Sequence, residues 1–506
     1  MKKDKAFAKV DRFFAEIERS GLALTYGDVR LKTGYSDSDP KDASITSFFS
    51  RNVPLNCPLV SAAMDTVTEA SMAIAMAMFG GLGIIHKALT AEQQAAQVRQ
   101  VKRYLNCMVE TPICVKEDET MGDILDRSLK SGFDFHSFPV LSNSGKIVGL
   151  LTRNNFEFCT DPKTTASRAM TPFKDLVTAP SGTSAKEAYA ILSGQHKKVL
   201  PLINETRELT GMFVYSDLKR LMFGLSSQYN VDTDSHLRVG AAIDVGPEEL
   251  VRAEMLLEAG CDVLVIDKAH GDMRPVKEML TSLKGLKQKY PGRDVVAGNV
   301  SEPESALRLA KWGADGIKVG QGPGSICTTR DIAGVGCPQV TAVYNCAKAV
   351  RGMGIPLCAD GGVTKSGDIP VALAIGASSV MMGFVLAGTD KAPGKFKETN
   401  RGRVKVYRGM GSLEAMKESY AARARYRQGD TPKDKLVAEG VVSTVPYRGS
   451  VTKVLETQVG GLRAGLGYVG ANSIPELQKK ADLHWLSAAG QTESHPHDVD
   501  VTDKTQ

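Results

Sequence analysis

Asp294-Val-Val-Ala-Gly-Asn299, then Glu302-Pro-Glu-Ser-Ala-Leu-Arg-Leu-Ala-Lys-Trp312, then Gly316-Ile-Lys-Val-Gly320 form the stretch that decides the fold. The two flanking runs are short, apolar and rich in β-branched residues, as in strands buried on both faces. The segment between them has helical spacing. The same unit recurs outward in both directions. Strands are expected at 55–61, 80–86, 239–243, 262–267, 294–299, 316–320, 356–360 and 378–383. Helices fall between them at Thr90–Tyr104, where Thr90 and Gln93 make a capping box, and at Glu248–Ala259, Glu302–Trp312 and Thr341–Arg351. Strand then helix, repeated eight times, predicts an α/β fold of the (β/α)8 TIM-barrel class. A doubly wound sheet is the alternative, but most of its forms use fewer strands.

The alternation is interrupted after the second unit. Residues 106–227 contain an internal repeat offset by about 60 residues. Thr111-Pro112 recurs as Thr171-Pro172, Pro139-Val140 as Pro201-Leu202, and Gly149 as Gly211. Each copy has a helix start, Thr120 with Asp123 and Ser184 with Glu187. The order resembles a tandem cystathionine β-synthase-type (CBS) pair. That resemblance implies a small module able to take adenine or guanine nucleotides. The ribose-contacting Thr-x-x-Asp pattern reads Thr152-Arg-Asn-Asn155 in one copy and Val214-Tyr-Ser-Asp217 in the other, so each departs at one end. A purely architectural role stands beside the ligand-binding one. The expected organisation is therefore 1–105 as the first part of the barrel, 106–227 as the inserted pair, and 228–506 as the rest.

Composition narrows the function classes. The chain has 506 residues, 42% hydrophobic and 24% charged, as in an ordinary soluble globular protein. Net charge is +6 without a concentrated basic stripe, which fits anionic small ligands and not nucleic acid. No apolar run reaches the roughly 18 residues of a membrane span, so no membrane partner is expected. The nine cysteines show no C-x-x-C and no framework spacing. They read as reduced thiols in a cytosol-like compartment, and a cytoplasmic location is expected. At the N-terminus Phe7, Val10, Phe13, Phe14 and Ile17 fall at helical spacing among acidic residues, unlike a signal core.

Active sites on a (β/α)8 barrel sit on the loops after the strands' C-terminal ends. Those loops gather Ser61–Asp65, Asp267, Gly298-Asn299, a Gly-rich loop from Gly320 to Gly336, Asp360-Gly361-Gly362 and Gly383. Glycine lets backbone N–H groups approach a phosphate. Cys327 lies in the Gly-rich loop beside Ser325, Thr328, Thr329 and Arg330. A lone cysteine usually packs as a small hydrophobe. A cationic, hydrogen-bonding setting instead favours the nucleophilic thiolate.

Gly322-Pro-Gly-Ser-Ile-Cys-Thr-Thr-Arg330 followed by Gly334-Val-Gly-Cys-Pro-Gln339 resembles the catalytic loop of the IMP dehydrogenase and GMP reductase family. The resemblance extends over nearly the whole chain. It includes Leu24–Val29, Ser61–Glu69, Ala359–Gly362, Gly367–Ile369 and Tyr407-Arg-Gly-Met-Gly-Ser412. It implies that Cys327 adds to C2 of a purine nucleotide and that hydride leaves C2 for NAD+. It also implies Ser325, Gly361, Gly362, Gly383 and Tyr407 at the phosphate end, Asp360 at the ribose, and Met64, Met410 and Gly411 around the base. Glu439 would meet the purine edge, and Asp267, Asn299, Gly320 and Gly322 the cofactor side. A potassium ion is implied on carbonyls of Gly322, Gly324 and Cys327, completed by Glu493, Ser494 and His495 of a neighbouring subunit. That arrangement implies a homotetramer, with an octamer as the larger alternative.

The family's two reactions differ in what resolves the covalent adduct. Arg425-Tyr426-Arg-Gln428 resembles the Arg-Tyr pair of the dehydrogenase flap, which activates water. Thr329 with Glu439 offers a second proton route. The expected reaction is therefore IMP, NAD+ and water to XMP and NADH. Phe384 replaces a common phosphate-binding serine, and Lys268 replaces a small hydroxyl residue. Lys268 is expected either to bind the cofactor's phosphates or to hinder the cofactor. Ala424 and Arg427 also depart from the flap pattern, and the flap is two residues longer before Arg425. GMP reductase and a non-catalytic nucleotide-sensing paralogue remain the alternatives.

Overall fold

The computed structural model describes residues 5–37, 39–105, 108–109, 111–131, 137–222, 228–400 and 402–499. The chain divides into two compact units, Met1–Tyr104 with Gln228–Gln506, and Leu105–Ser227.

The first unit is built on eight parallel strands: β1 Leu59–Ser61, β2 Leu82–Ile85, β3 Gly240–Ile243, β4 Val263–Asp267, β5 Asp294–Val300, β6 Gly316–Val319, β7 Leu357–Asp360 and β8 Ser379–Met382. They close into a barrel in the order β3-β4-β5-β6-β7-β8-β1-β2. Closure runs through Met381 opposite Val60 and through Gly240 opposite Ile84, the latter across the point where the second unit leaves the chain. Nearly every strand residue is buried, as expected of a parallel sheet covered by helices. Helices α1 Ala70–Met78, α2 Ala91–Arg103, α3 Pro247–Glu258, α4 Arg274–Lys289, α5 Pro303–Trp312, α6 Gln339–Val350 and α7 Asp368–Ala374 alternate with them. The capping box at α2 forms as read: Gln93 N donates to the Thr90 hydroxyl, and the Gln93 side chain accepts from Thr90 N. At Gly83 of β2 a Cβ would lie 2.4 Å from Cα of Ala73, so α1 approaches β2 only because the strand has no side chain there.

The expected strand 55–61 is two elements. Val53–Leu55 pairs antiparallel with Ser47–Ser50, and β1 begins only at Leu59. Pro58 intervenes; it has no N–H for a ladder, and its carbonyl accepts from Val380 N at 2.9 Å. The hairpin plugs the barrel's N-terminal end. Phe49, Val53 and Leu55 share one buried cluster with Val60, Leu82, Ile84, Val265 and Val296 of the barrel interior. One mouth is thus filled with apolar side chains, and chemistry is left to the other. The N-terminal helix, Ala8–Ser20, buries Val10, Phe14 and Ile17, the stripe its spacing predicts.

The second unit repeats strand, helix and hairpin twice. The first copy has Val115–Lys116, Met121–Ser131, Phe138–Leu141 and Ile147–Leu151. The second has Ala179–Pro180, Ala185–Gly194, Val199–Ile203 and Leu209–Val214. Both helix starts are capped where expected: Asp123 N donates to Thr120 Oγ1, and Glu187 N to Ser184 Oγ. Each four-stranded sheet is finished by the other copy's lead-in segment. Met108–Val109 pairs with Leu209–Val214, and Thr171–Pro172 pairs with Ile147–Leu151. Among the described residues, no helix is long and apolar enough to cross a membrane.

Candidate active site

The C-terminal ends of the strands surround a cavity of about 820 Å³. Cys327 faces it from the loop after β6. The Cys327 amide donates to Gly324 O at 3.0 Å, which folds the loop into a tight turn, and the thiol donates to Thr329 Oγ1 at 3.2 Å. The turn is held from two sides. Val441 N donates to Ile326 O and Thr328 N to Glu439 O, at 3.0 and 3.1 Å. Arg330 donates to the carbonyls of Gln321 and Cys337 across the loop's base. Gly322, with φ +76°, leaves the space its side chain fills.

A network of charges lines the same cavity as the thiol. Lys318 of β6 is 2% exposed, and its ammonium reaches Asp267 at the end of β4 at 3.0 Å and Asp360 at the end of β7 at 2.5 Å. It also donates to the side-chain oxygen of Asn299 on β5. Asn299 Nδ2 in turn donates to Asp360 Oδ2 at 2.9 Å and Gly320 O at 2.7 Å. A buried carboxylate stripped of its partner costs about 3–5 kcal/mol, so a lysine is sustained here inside an apolar strand. Lys87, after β2, donates to Asp244 and to Asp267 O at 2.9 Å. Burial and the neighbouring Lys268 push Lys87 down to about 8, against the pull of Asp244. Burial alone would raise the Asp244 carboxyl, but Lys87 and Lys268 together hold it below the usual range.

Residues Tyr420–Arg425 form a short helix capped by Ser419, and its end is docked into the cavity. Arg425 forms an ion pair with Asp267, and Ala269 N donates to Arg425 O at 3.3 Å. The ring of Tyr426 lies flat against Gly411, where a Cβ would meet it at 2.7 Å. Burial, with Cys327 and Glu439 nearby, pushes the Tyr426 phenol up, opposed by Arg425. Tyr407 is pushed up as well, by burial first and then by Asp360 and Cys327, so its hydroxyl remains a donor at neutral pH. The docked segment is a wall. Arg425 and Tyr426 line the thiol cavity on one side; Tyr420, Ala424 and Arg427 line a second cavity of about 2030 Å³ on the other.

Of the residues singled out in the sequence, Met64, Asp267, Asn299, Gly320, Gly322, Gly324, Cys327, Thr329, Asp360 and Gly361 line the cavity, together with Tyr407, Met410, Arg425, Tyr426 and Glu439. Gly411 backs Tyr426, and its carbonyl accepts from Glu439 N. A Cβ on Gly383 would lie 2.8 Å from the Tyr407 hydroxyl and 3.3 Å from Met64 Sδ. Ser325 is exposed. Gly362 and His495 line a neighbouring cavity with Arg330 and Lys365, and His495 Nδ1 lies 2.9 Å from Lys365 Nζ of its own chain. Glu493 and Ser494 close the short helix Ala488–Glu493. Phe384 lies 6.3 Å from Tyr407, with the Arg448 guanidinium 4.7 Å over its ring. The sequence reading missed Lys318, Lys87 and Asp244. A lysine within Gly316-Ile-Lys-Val319 was a legible signal, because a charge inside a buried strand needs a buried partner.

A closed parallel barrel with one thiol and a lysine–carboxylate network at its C-terminal mouth is a (β/α)8-barrel enzyme. The chain belongs to the IMP dehydrogenase / GMP reductase family: the family model of that description matches residues 23–497. It is 43% identical over 481 residues to an inosine-5'-monophosphate dehydrogenase of Halalkalibacterium halodurans, covering 95% of this chain and 96% of that one. It is 42% identical over 482 residues to the Aquifex aeolicus protein of the same name, with the same coverage. Among solved structures, a Cys-to-Ala variant of Trypanosoma brucei GMP reductase in complex with guanosine 5'-monophosphate is similar. Its TM-score is 0.86 at 36% identity, with 96% of this chain and 100% of that one covered. The T. brucei GMP reductase in complex with guanosine 5'-triphosphate gives a TM-score of 0.76 at 32% identity, with 93% and 100% covered.

Proposed function

We propose that the protein is an IMP dehydrogenase, converting IMP, NAD+ and water to XMP and NADH. The observation that carries this reading is the docked Arg425–Tyr426 pair in the same cavity as Cys327. Cys327 Sγ adds to C2 of the bound purine. NAD+, when bound on the side of Asp267, Asn299, Gly320 and Gly322, supplies the acceptor for the hydride leaving C2. Water then attacks C2 of the remaining thioimidate; its proton passes through Thr329 to the Glu439 carboxylate, or to Arg425 once that guanidinium has left Asp267 and given up a proton to solvent, and the thiol is released with XMP. Met64, Met410 and Gly411 flank the base, Glu439 its edge, and Asp360 the ribose. Tyr407 donates to the phosphate beside Ser325, Gly361, Gly362 and Gly383. The cofactor fits because the docked segment separates two cavities that its departure would merge.

The runner-up is GMP reductase, favoured by one finding: solved structures that match nearly the whole chain include GMP reductases. One assay separates the two. The dehydrogenase forms NADH from IMP and NAD+; the reductase consumes NADPH with GMP. NADH formation alone is expected, and NADPH consumption alone would reverse the assignment. Neither activity would leave the nucleotide-sensing paralogue.

We further infer that residues 106–227 are a tandem CBS pair that binds a purine nucleotide. A cavity of about 960 Å³ in this unit is lined by Arg153, Lys197 and Lys198, cations suited to phosphates, with Asp175 the one carboxylate among its described lining residues. Titration of the whole chain with ATP and with GTP is expected to give saturable binding that Arg153→Ala with Lys198→Ala weakens. Unaltered binding would place the nucleotide elsewhere. We infer a potassium site on backbone carbonyls of Gly322, Gly324 and Cys327, donors of the kind that replace a hydration shell. Carbonyls of Glu493, Ser494 and His495 from another copy would complete it in a homotetramer or octamer. The free thiols among the described residues suit a reducing, cytoplasmic location.

A further inference from the structure

Lys268 follows Asp267 at the end of β4 and is 4% exposed. Its ammonium donates to Asp244 Oδ1 at 2.7 Å and to the backbone carbonyl of Ala424. That carbonyl lies in the last turn of Tyr420–Arg425 and also accepts from Arg427 N at 3.1 Å, so both of its lone pairs are used. Three successive residues of one strand end therefore grip the segment. Asp267 holds the Arg425 guanidinium, Ala269 N holds the Arg425 carbonyl, and Lys268 holds the peptide before it. The Ala269 grip is backbone, indifferent to side-chain type. The Lys268 grip needs a long cationic side chain, and Asp244, itself fixed by Lys87, keeps that chain in place.

We propose that Lys268 is a latch: it holds residues 420–427 in the docked position, against the cofactor side of Asp267, in the resting enzyme. The proposal rests on the reading above, which puts the dinucleotide on the side of Asp267, where Arg425 of the docked segment now sits, so the two take turns in one space. Entry of the dinucleotide then breaks a charge-assisted hydrogen bond, and return of Arg425 remakes it. Lys268 thereby weakens apparent dinucleotide binding and speeds the later step, acting as a positioning residue through Arg425. A lysine that contacted the cofactor's phosphates would do the opposite to binding.

The test uses the full chain with Lys268→Met. Asp244 keeps Lys87, so the change strands no carboxylate. Hydrogen–deuterium exchange over 413–430 is expected to quicken, with Lys268→Arg restoring the slower rate. In steady state, KM for NAD+ is expected to fall by about three- to tenfold as the open fraction rises. kcat falls with it, while the first-turnover burst of NADH persists. If the methionine variant does not fold, Lys268→Gln is read the same way. Unchanged exchange, or a KM for NAD+ that rises at constant kcat, overturns the latch. If the wild type forms no NADH from IMP, the exchange measurement still decides the latch, and only the dehydrogenase reading falls.

Discussion

Cys327→Ser is expected to abolish turnover, by about 10⁴-fold or more in kcat, while IMP binding stays measurable. The serine hydroxyl is a far poorer nucleophile than a thiolate. The thiol's hydrogen-bond partner is the hydroxyl of Thr329, which accepts a hydrogen bond but does not ionise serine. Binding is expected to survive because the cavity walls come from other strands: Asp360 from β7, Met64 after β1, and Tyr407 from the strand Gly402–Arg408. Calorimetric titration with IMP beside the NADH assay checks both halves. Residual turnover near the wild-type rate would remove Cys327 from the chemistry, and loss of binding would make it a structural residue.

Arg425→Ala is expected to leave hydride transfer nearly intact and to slow adduct hydrolysis by about 10²- to 10³-fold, the range of a lost proton-transfer group. The signature is a full burst of NADH followed by a slow steady state in stopped-flow traces. The structure sharpens this expectation. Arg425 is bound to Asp267, the carboxylate proposed for the cofactor side, so on that proposal the two exclude each other there. A variant that loses the burst would show that Arg425 acts before the adduct forms.

The barrel was legible because each of its strands is a separate apolar run with a helix pattern after it. Only the first strand was misjudged, since the hairpin strand Val53–Leu55 reads continuously into β1 and only Pro58 separates them. Cys327 was legible because glycines, hydroxyls and an arginine surround it in sequence. Lys318 leaves one local signal, a charge inside a buried strand, but its partners, like those of Lys87 and Asp244, lie on other strands and no local pattern joins them. Lys268 stands out in the sequence as a departure that either binds the cofactor's phosphates or hinders the cofactor; its contacts with Asp244 and the carbonyl of Ala424 lie on other elements and could not be read there.

Lys318 carries a last consequence. One ammonium serves both Asp360, proposed for the nucleotide side, and Asp267, proposed for the cofactor side. A ligand hydroxyl that engages Asp360 changes how firmly Lys318 holds Asp267, and therefore how readily Asp267 gives up Arg425 for another partner. Linkage makes that influence reciprocal. The two proposed halves of the site thus share Lys318 as a counterion, which ties the occupancy of one to the occupancy of the other.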